Sequence, residues 1–443
     1  MQILYQTVKP FDKLLKKQKV RPGQTYRPMY YVVEQPVDEG LLLYHTMTKA
    51  MLLLTPKEAM VYKEHPANLT QLIELWFLVP QSHDDRLLSR QVRDVAKMLQ
   101  KKSDAITSYT ILTTTDCNAR CFYCYEMGRP RVPMSRETAL QTADFIISHC
   151  KGKKVSIHWF GGEPLCNKPV ITQICQRLKD AGIEYTSTMT SNGYLFNEET
   201  IREAKELWLL KRVQITLDGT EKIYNRSKAY IYKGVNAYQR VIGNIHMLQN
   251  ANIHVSIRLN IDMHNADNML ELAEELHSEF SAPKGISVYL HVLYEEINGS
   301  KAMHNEQKRR LVFEKMEEIE LRLNGYGFQR LRRFKREIKT THCMADNEES
   351  IVIVPDGHIG KCEHYTEDHF ISHIRNDNWD TQMMDNFRET RDEIDACDTC
   401  FDYPNCIRLK LCEAITNCYH EERQNKLTNL HHSMLDAYHK TRK

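Results

Sequence analysis

No stretch of this 443-residue chain approaches the roughly 20 consecutive apolar residues that a bilayer crossing needs. An excess of charge of one sign is also missing. Lys plus Arg is 60 and Asp plus Glu is 58, so no long-range field favours nucleic acid or an anionic membrane surface. The opening MQILYQTVKPFDKLLKKQ lacks the apolar core and small-residue cleavage site of a secretory signal. No low-complexity tract interrupts the chain, and the expected location is the cytosol. What the chain has in abundance is cysteine, 13 in all, unevenly placed. Cys117, Cys121 and Cys124 cluster tightly, and seven more fall between Cys343 and Cys418. In a reducing compartment such clusters point to metal or catalysis rather than disulfides. Cys150, Cys166 and Cys175 stand apart, and Cys150 and Cys175 fall on helical patterns as small packed hydrophobes.

Length and pattern divide the chain into several units. Residues 1–103 read as a small α+β domain. Its short β-like runs begin at Tyr30, Leu41 and Met51, and helices follow. Thr55-Pro56-Lys57-Glu58 has the marks of a helix start, with Thr as cap, Pro first and Glu three residues on. Residues 104–300 alternate strand and helix. Strand-like runs begin near Ser108, Lys154, Glu184, Val213, His254 and Ile286, separated by amphipathic stretches such as 135–150 and 265–280. Repeated βα units predict parallel strands with helical crossovers, in a partial barrel or an open sheet. Residues 301–340 form a charged helical linker ending in the basic run 330–336, most simply a solvated face. Residues 341–443 are cysteine-rich and too irregular to stand on apolar burial alone, so metal would have to stabilise them.

In α/β sheets the chemistry sits at the carboxyl ends of strands. The motifs obey this rule. Cys117-Asn-Ala-Arg-Cys121-Phe-Tyr-Cys124 follows the first strand, Gly161-Gly162-Glu163-Pro164 the second, Ser191-Asn192-Gly193 the third, and Asp218-Gly219 the fourth. A four-iron cubane takes one ligand per iron, so three thiolates from one loop leave an iron open to a small molecule. Zinc would want a fourth ligand nearby, and no further His or Cys lies close in sequence.

With these motifs in this order, the chain resembles the radical S-adenosylmethionine (radical SAM) superfamily, whose fold is a partial (βα)6 barrel. The resemblance implies that Cys117, Cys121 and Cys124 bind a [4Fe–4S] cluster whose open iron chelates S-adenosylmethionine. Reductive cleavage then yields a 5′-deoxyadenosyl radical that abstracts hydrogen from substrate. It further implies that Gly161, Gly162, Glu163 and Pro164 receive the methionine ammonium and that Tyr123 contacts the adenine. Ser191 and Asn192 fall where ribose and carboxylate contacts are expected, Thr216 stands where the family more usually has a cofactor-binding Ser, and Arg226 is a candidate partner for the cofactor carboxylate.

The later cysteines resemble the SPASM extension of that superfamily: Cys343, then Gly357 and Cys362, then Cys397-x2-Cys400-x5-Cys406, Cys412 and Cys418. One spacing departs, with five residues rather than three before Cys412. By resemblance Cys397, Cys400, Cys406 and Cys418 hold one auxiliary [4Fe–4S] cluster, and Cys343, Cys362 and Cys412 hold another, three clusters in all. The latter lacks a fourth cysteine, leaving an open iron or a ligand such as Glu337 or His342. Glu363 stands where sulfatase-maturing relatives place a base. Members with this extension mostly modify ribosomal peptides, and residues 1–103 are similar in pattern to winged-helix leader-recognition domains, which add a leader as a strand. The expectation is a peptide maturase forming a thioether or other crosslink, with a precursor peptide as substrate and flavodoxin or ferredoxin as electron donor. The alternatives are a sulfatase-maturing enzyme and a zinc-stabilised, non-catalytic peptide-binding protein.

Overall fold

The computed structural model describes every residue except 10, 100–102, 282, 294, 298–299, 303–304, 329–338, 366–367, 377, 413–417 and 443. The basic run 330–336 and Glu337 therefore lie outside the described residues. The N-terminal unit is a four-stranded antiparallel sheet in the order Gln2–Tyr5, Met51–Leu54, Gly40–His45, Val32–Val37. The three runs read from sequence are its last three strands. Gln2–Tyr5, which pairs with Met51–Leu54, was not anticipated because one polar-flanked run of four carries little periodicity. Thr55 caps the helix Pro56–Glu64 through a complete capping box with Glu58.

The middle of the chain follows its pattern closely. Strands β1 (Ser108–Leu112), β2 (Val155–Phe160), β3 (Tyr185–Ser191), β4 (Leu210–Leu217), β5 (His254–Ile261) and β6 (Ile286–Val292) pair in parallel, in sequence order. Helices α1 (Arg136–His149), α2 (Lys168–Asp180), α3 (Glu198–Glu206), α4 (Glu221–Lys228), α5 (Ala237–Asn250) and α6 (Ala266–Glu279) cover one face. Alternation along the strands explains the two faces. On β4, Val213, Ile215 and Leu217 are buried in the main core, whereas Gln214 and Thr216 remain half-buried on the other side. The stretches read as 135–150 and 265–280 match α1 and α6 within a residue at each end. Cys150 caps α1 and Cys175 lies within α2, both fully buried.

Where the sequence separated barrel from cysteine field, the structure joins them. After the long helix α7 (Glu306–Gly325), strand β7 (Ser350–Ile353) pairs parallel with β1, and β8 (His358–Gly360) and β9 (Ser372–His373) continue the same sheet to nine strands. Ser-Ile-Val-Ile is only four residues long, too short to betray a barrel strand. Gly357 turns the chain between β7 and β8 at φ +96°, and a Cβ there would press on Ile374 at 3.0 Å, which explains the glycine in the Cys343–Gly357–Cys362 pattern.

The N-terminal unit docks on the second cysteine field. Tyr31 stacks on Tyr403 with ring centroids 6.2 Å apart. Thr46 donates to the Phe401 carbonyl (2.5 Å), Lys49 donates to Asn405, and Arg93 donates to the Tyr403 carbonyl (2.8 Å). Cys397 and Cys400 pack against the cluster of Phe11, Met29, Tyr31, Met47 and Val92. The opposite face of the sheet region, at Val33, Leu42 and Leu53, packs on Met434 and Tyr438 of the terminal helix α8 (His420–Lys440).

Candidate active site

At the carboxyl end of β1 the chain leaves the sheet in a hydrogen-bonded loop. Asp116 N–H donates to Thr114 Oγ1 (2.9 Å) and Cys117 N–H to Asp116 Oδ1 (2.8 Å). Cys124 N–H then bonds the Cys121 carbonyl (3.2 Å). The half-buried thiols of Cys117, Cys121 and Cys124 share this loop. Burial pushes the Cys117 thiol up to about 12, with Glu163 and Cys121 adding to the effect, and burial with Glu126 and Cys121 raises Cys124. Crowded thiols such as Cys117 and Cys124, which burial keeps from ionising, suit a cationic iron core, whose binding would expel their protons. Among the described residues no three His, Cys, Asp or Glu side chains converge closely enough for a single metal ion. A cubane asks instead for thiolates standing apart at its corners.

The Gly161–Pro164 motif is clamped onto that loop. Gly162 N–H donates to the Thr114 carbonyl (3.0 Å) and Glu163 N–H to the Asp116 carbonyl (2.9 Å). Gly161 has φ +122°, and a Cβ on it would collide with the Thr114 carbonyl. The Glu163 side chain is fully buried, and its carboxylate accepts from Leu165 N–H (3.1 Å), Ser191 Oγ (2.9 Å) and Asn192 N–H (2.7 Å). Burial raises its carboxyl to about 7 against the pull of those donors. Asn192 Nδ2 in turn donates to Asn118 Oδ1 (2.6 Å). Thus Glu163, Ser191 and Asn192, drawn from two strand ends, are brought together with the cysteine loop. Three donors occupy the carboxylate, which has about four acceptor positions.

A second hub lies beside it. Asp218 is 2% exposed and accepts from Tyr123 Oη (2.6 Å), Asn260 Nδ2 (3.0 Å) and Lys228 Nζ (3.1 Å). Lys228, 4% exposed, also donates to Tyr123 Oη (2.9 Å). Burial, the largest influence, opposes its charge, but Asp218, Tyr123, Cys121 and Tyr224 together outweigh it and hold the ammonium well above its ordinary range. Arg226, the candidate from sequence, is exposed on the far side of α4. Lys228 is the residue the sequence reading missed, although helical spacing puts it one turn after buried Tyr224. Thr216 faces the half-buried lumen together with His158, Arg258 and Tyr289. His158 bonds Thr188 (2.8 Å), burial lowers it to about 4, and Tyr289 donates to Gln214 (2.6 Å). Arg258 is a further cation on that face; its Nε donates to Asn260, the neighbour of Asp218 (2.9 Å).

In the cysteine field Cys343, Cys362 and Cys412 act on one another, as Cys400 does with Cys418 and Cys406. Burial, then Asp346 and Cys412, push Cys343 up to about 11, while burial, Glu363, Cys343 and Cys412 raise Cys362. Burial, then Asp402 and Cys418, raise Cys400, and burial, Asp402 and Cys400 act on Cys406. Arg423 donates to Cys418 Sγ (3.2 Å). Between the first loop and this field lies Tyr125, its ring 4.4 Å from that of His364 and its hydroxyl buried without a hydrogen-bond partner among the described residues. Glu363 and Glu126 both act on Tyr125, so the sequence candidate Glu363 lies at the junction of two cysteine sets. Glu126, 8% exposed and raised by burial to about 7, was not singled out by sequence.

Comparison with known proteins agrees with this geometry. Residues 111–277 match the radical SAM superfamily. An uncharacterized protein of Methanocaldococcus jannaschii is 29% identical over 170 residues, 38% of this chain and 53% of that protein. A probable GTP 3′,8-cyclase of Methanococcus maripaludis is 32% identical over 124 residues, 27% of this chain and 38% of the cyclase. The chain thus spans about half or less of the length of these curated relatives. Among solved structures, anSMEcpe with bound S-adenosylmethionine superposes with TM-score 0.57 at 16% identity, covering 74% of this chain and 99% of that one. Streptococcus suis SuiB bound to its precursor peptide SuiA gives TM-score 0.51 at 13% identity, covering 86% and 95%. Residues 111–277 thus carry the radical SAM match, and the fold of most of the chain is similar to that of anSMEcpe and SuiB.

Proposed function

We propose that this chain is a peptide maturase that abstracts hydrogen from a ribosomally made precursor and joins side chains through a thioether or similar crosslink. The observation that carries the reading is the N-terminal sheet. Among the described residues its strand Val32–Val37 pairs on one side only, with Gly40–His45, and the sheet sits on the cysteine field. An extended leader would add to that edge by main-chain hydrogen bonds. The likeness to a chain solved with its precursor peptide supports it, as does anSMEcpe solved with a Cp18Cys peptide. The cyclase match covers only 124 residues. The long N-terminal unit argues against sulfatase maturation.

Cys117, Cys121 and Cys124 would hold one [4Fe–4S] cluster, Cys397, Cys400, Cys406 and Cys418 a second, and Cys343, Cys362 and Cys412 a third. When bound with S-adenosylmethionine, the first cluster supplies the electron that yields the 5′-deoxyadenosyl radical. The chain's own residues position and shield. Glu163, with one acceptor position left, would receive the methionine ammonium beside the close-approaching Gly161 and Gly162. Tyr123, fixed by Asp218 and Lys228, would hold the adenine, and Ser191, Asn192 and Thr216 would line the cofactor. Glu363 would take a proton from the substrate as the new bond forms.

The test is to incubate the reduced protein with S-adenosylmethionine and the precursor peptide encoded beside it, then weigh the peptide. A loss of two hydrogens supports a crosslink, and an unmodified peptide with an intact N-terminal unit refutes this reading. Metal analysis gives iron if it is right and zinc alone if the chain is a non-catalytic binder.

A further inference from the structure

One face of the parallel sheet lines the lumen, and alternation gives that face every second residue of each strand. The register places Arg212 of β4 between Thr188 of β3 and His254 of β5, with His158 of β2 next beyond Thr188. Further along the same face, Arg258 of β5 stands between Thr216 of β4 and Tyr289 of β6. Gln214 lies between the two levels and accepts from Tyr289 Oη (2.6 Å). Across β1 to β6, the positions in register with this face carry no Asp or Glu.

The lumen is therefore cationic without a matching acid. Neither Arg212 nor Arg258 is ion-paired among the described residues. Half-buried Arg258 gives its Nε to Asn260 Oδ1 (2.9 Å) and also bonds Tyr289. Beyond burial, Arg258 and Arg212 are the charges that act on Tyr289, and Arg212 alone acts on His158 and His254. The acids at the mouth are engaged elsewhere, Asp218 with Lys228 (3.1 Å) and Glu163 with Ser191 and Asn192. A half-buried cation without a counter-charge costs free energy that an anion offsets, and a guanidinium fits a carboxylate through two parallel hydrogen bonds.

We propose that this lumen selects a precursor with an acidic residue beside the one that is modified, its Asp or Glu carboxylate seating on Arg258 and drawn inward by Arg212. This rests on the peptide-maturase reading and narrows its substrate to an acidic core segment. Arg258 lies three residues before the end of β5, about 10 Å down the strand, a depth that an extended peptide covers in about three residues. The acid therefore falls within about three positions of the modified residue. Arginine at these positions disfavours a precursor that offers lysine or arginine there, since like charges would meet in a half-buried channel.

The test uses the reconstituted full chain and the precursor peptide encoded beside it. Each Asp or Glu of the modified segment is changed in turn to Asn or Gln, and another copy carries an amidated C-terminus. In the wild type one acid-to-amide change should lower kcat/KM for the peptide about tenfold or more. If only the amidated C-terminus causes such a loss, the carboxylate is the chain terminus and the side-chain assignment is overturned. In Arg258→Gln the ratio between acid and amide peptides should shrink to about threefold or less, and Arg258→Lys should recover part of it. Both peptides meet the same enzyme, so incomplete folding or loading of a variant cancels in that ratio. A ratio unchanged in both Arg258→Gln and Arg212→Gln overturns the proposal, as does a modified segment without Asp or Glu. If Arg258→Gln instead raises KM for S-adenosylmethionine and leaves the ratio alone, the arginine serves the cofactor's own carboxylate, which also overturns it. A wild type that modifies no form of the peptide sinks the maturase reading; one that modifies acid and amide forms equally well sinks this inference alone.

Discussion

Gly162→Ala is the substitution from which the site's geometry gives the clearest expectation. The backbone of Gly162 has no positive φ, so alanine adds no intrinsic strain and the effect is purely one of space. The new Cβ would lie 2.8 Å from the Thr115 carbonyl oxygen and the Asp116 carbonyl carbon, and closer still to the Asp116 oxygen. Ordinary carbon contacts begin near ~3.5 Å, so one loop must retreat by about 1 Å. The obstacle is backbone, and the backbone that yields is the one leading into Cys117. A misplacement of about 1 Å costs on the order of 100-fold in rate, about 2.7 kcal/mol of barrier. The variant should therefore retain its secondary structure but form 5′-deoxyadenosine on the order of 100 times more slowly under dithionite, with altered magnetic resonance of the first cluster. A variant as fast as the wild type would show that the glycine-to-cysteine loop contact does not position the chemistry.

Other consequences follow from buried groups. Lys228→Met leaves Asp218 charged and unpaired, which should cost about 3–5 kcal/mol of stability in denaturant titration. Adding Asp218→Leu should restore much of it, and failure to do so would mean the pair is not coupled. His45 is fully buried and burial lowers it to about 3, while the unfolded chain protonates near ~6.5. The folded state binds fewer protons below that value, so the stability held above it is lost as pH falls, by about 2 kcal/mol at pH ~5. His45→Phe, if it folds, should flatten the pH dependence of melting between pH ~7 and pH ~5; an unchanged slope would contradict this. Finally, Cys397→Ala with Cys400→Ala should loosen the contact that Tyr31, Thr46 and Lys49 make with the loop around Tyr403. Hydrogen exchange should rise at 45–50 and 86–93 but not in β2, whereas uniform protection would refute the link.

The barrel was legible because its six strands and their helices carry strong periodicity, and the motifs at strand ends carry chemistry in fixed spacing. Three things were not. β7 has only four residues and joins β1 across more than two hundred positions, a partnership that no local pattern encodes. Lys228 was hidden by Arg226, since both are basic and only the helix phase tells the inward residue from the outward one. The seating of the N-terminal unit on the cysteine field depends on scattered residues, Tyr31, Thr46, Lys49 and Tyr403, whose partners emerge only when the chain is folded.

Anaerobic turnover of S-adenosylmethionine by the reduced protein tests the central claim most directly. The wild type should release 5′-deoxyadenosine and methionine in equal amounts, and a variant with Cys117, Cys121 and Cys124 all changed to alanine should release none. Equal release by both proteins would contradict the account.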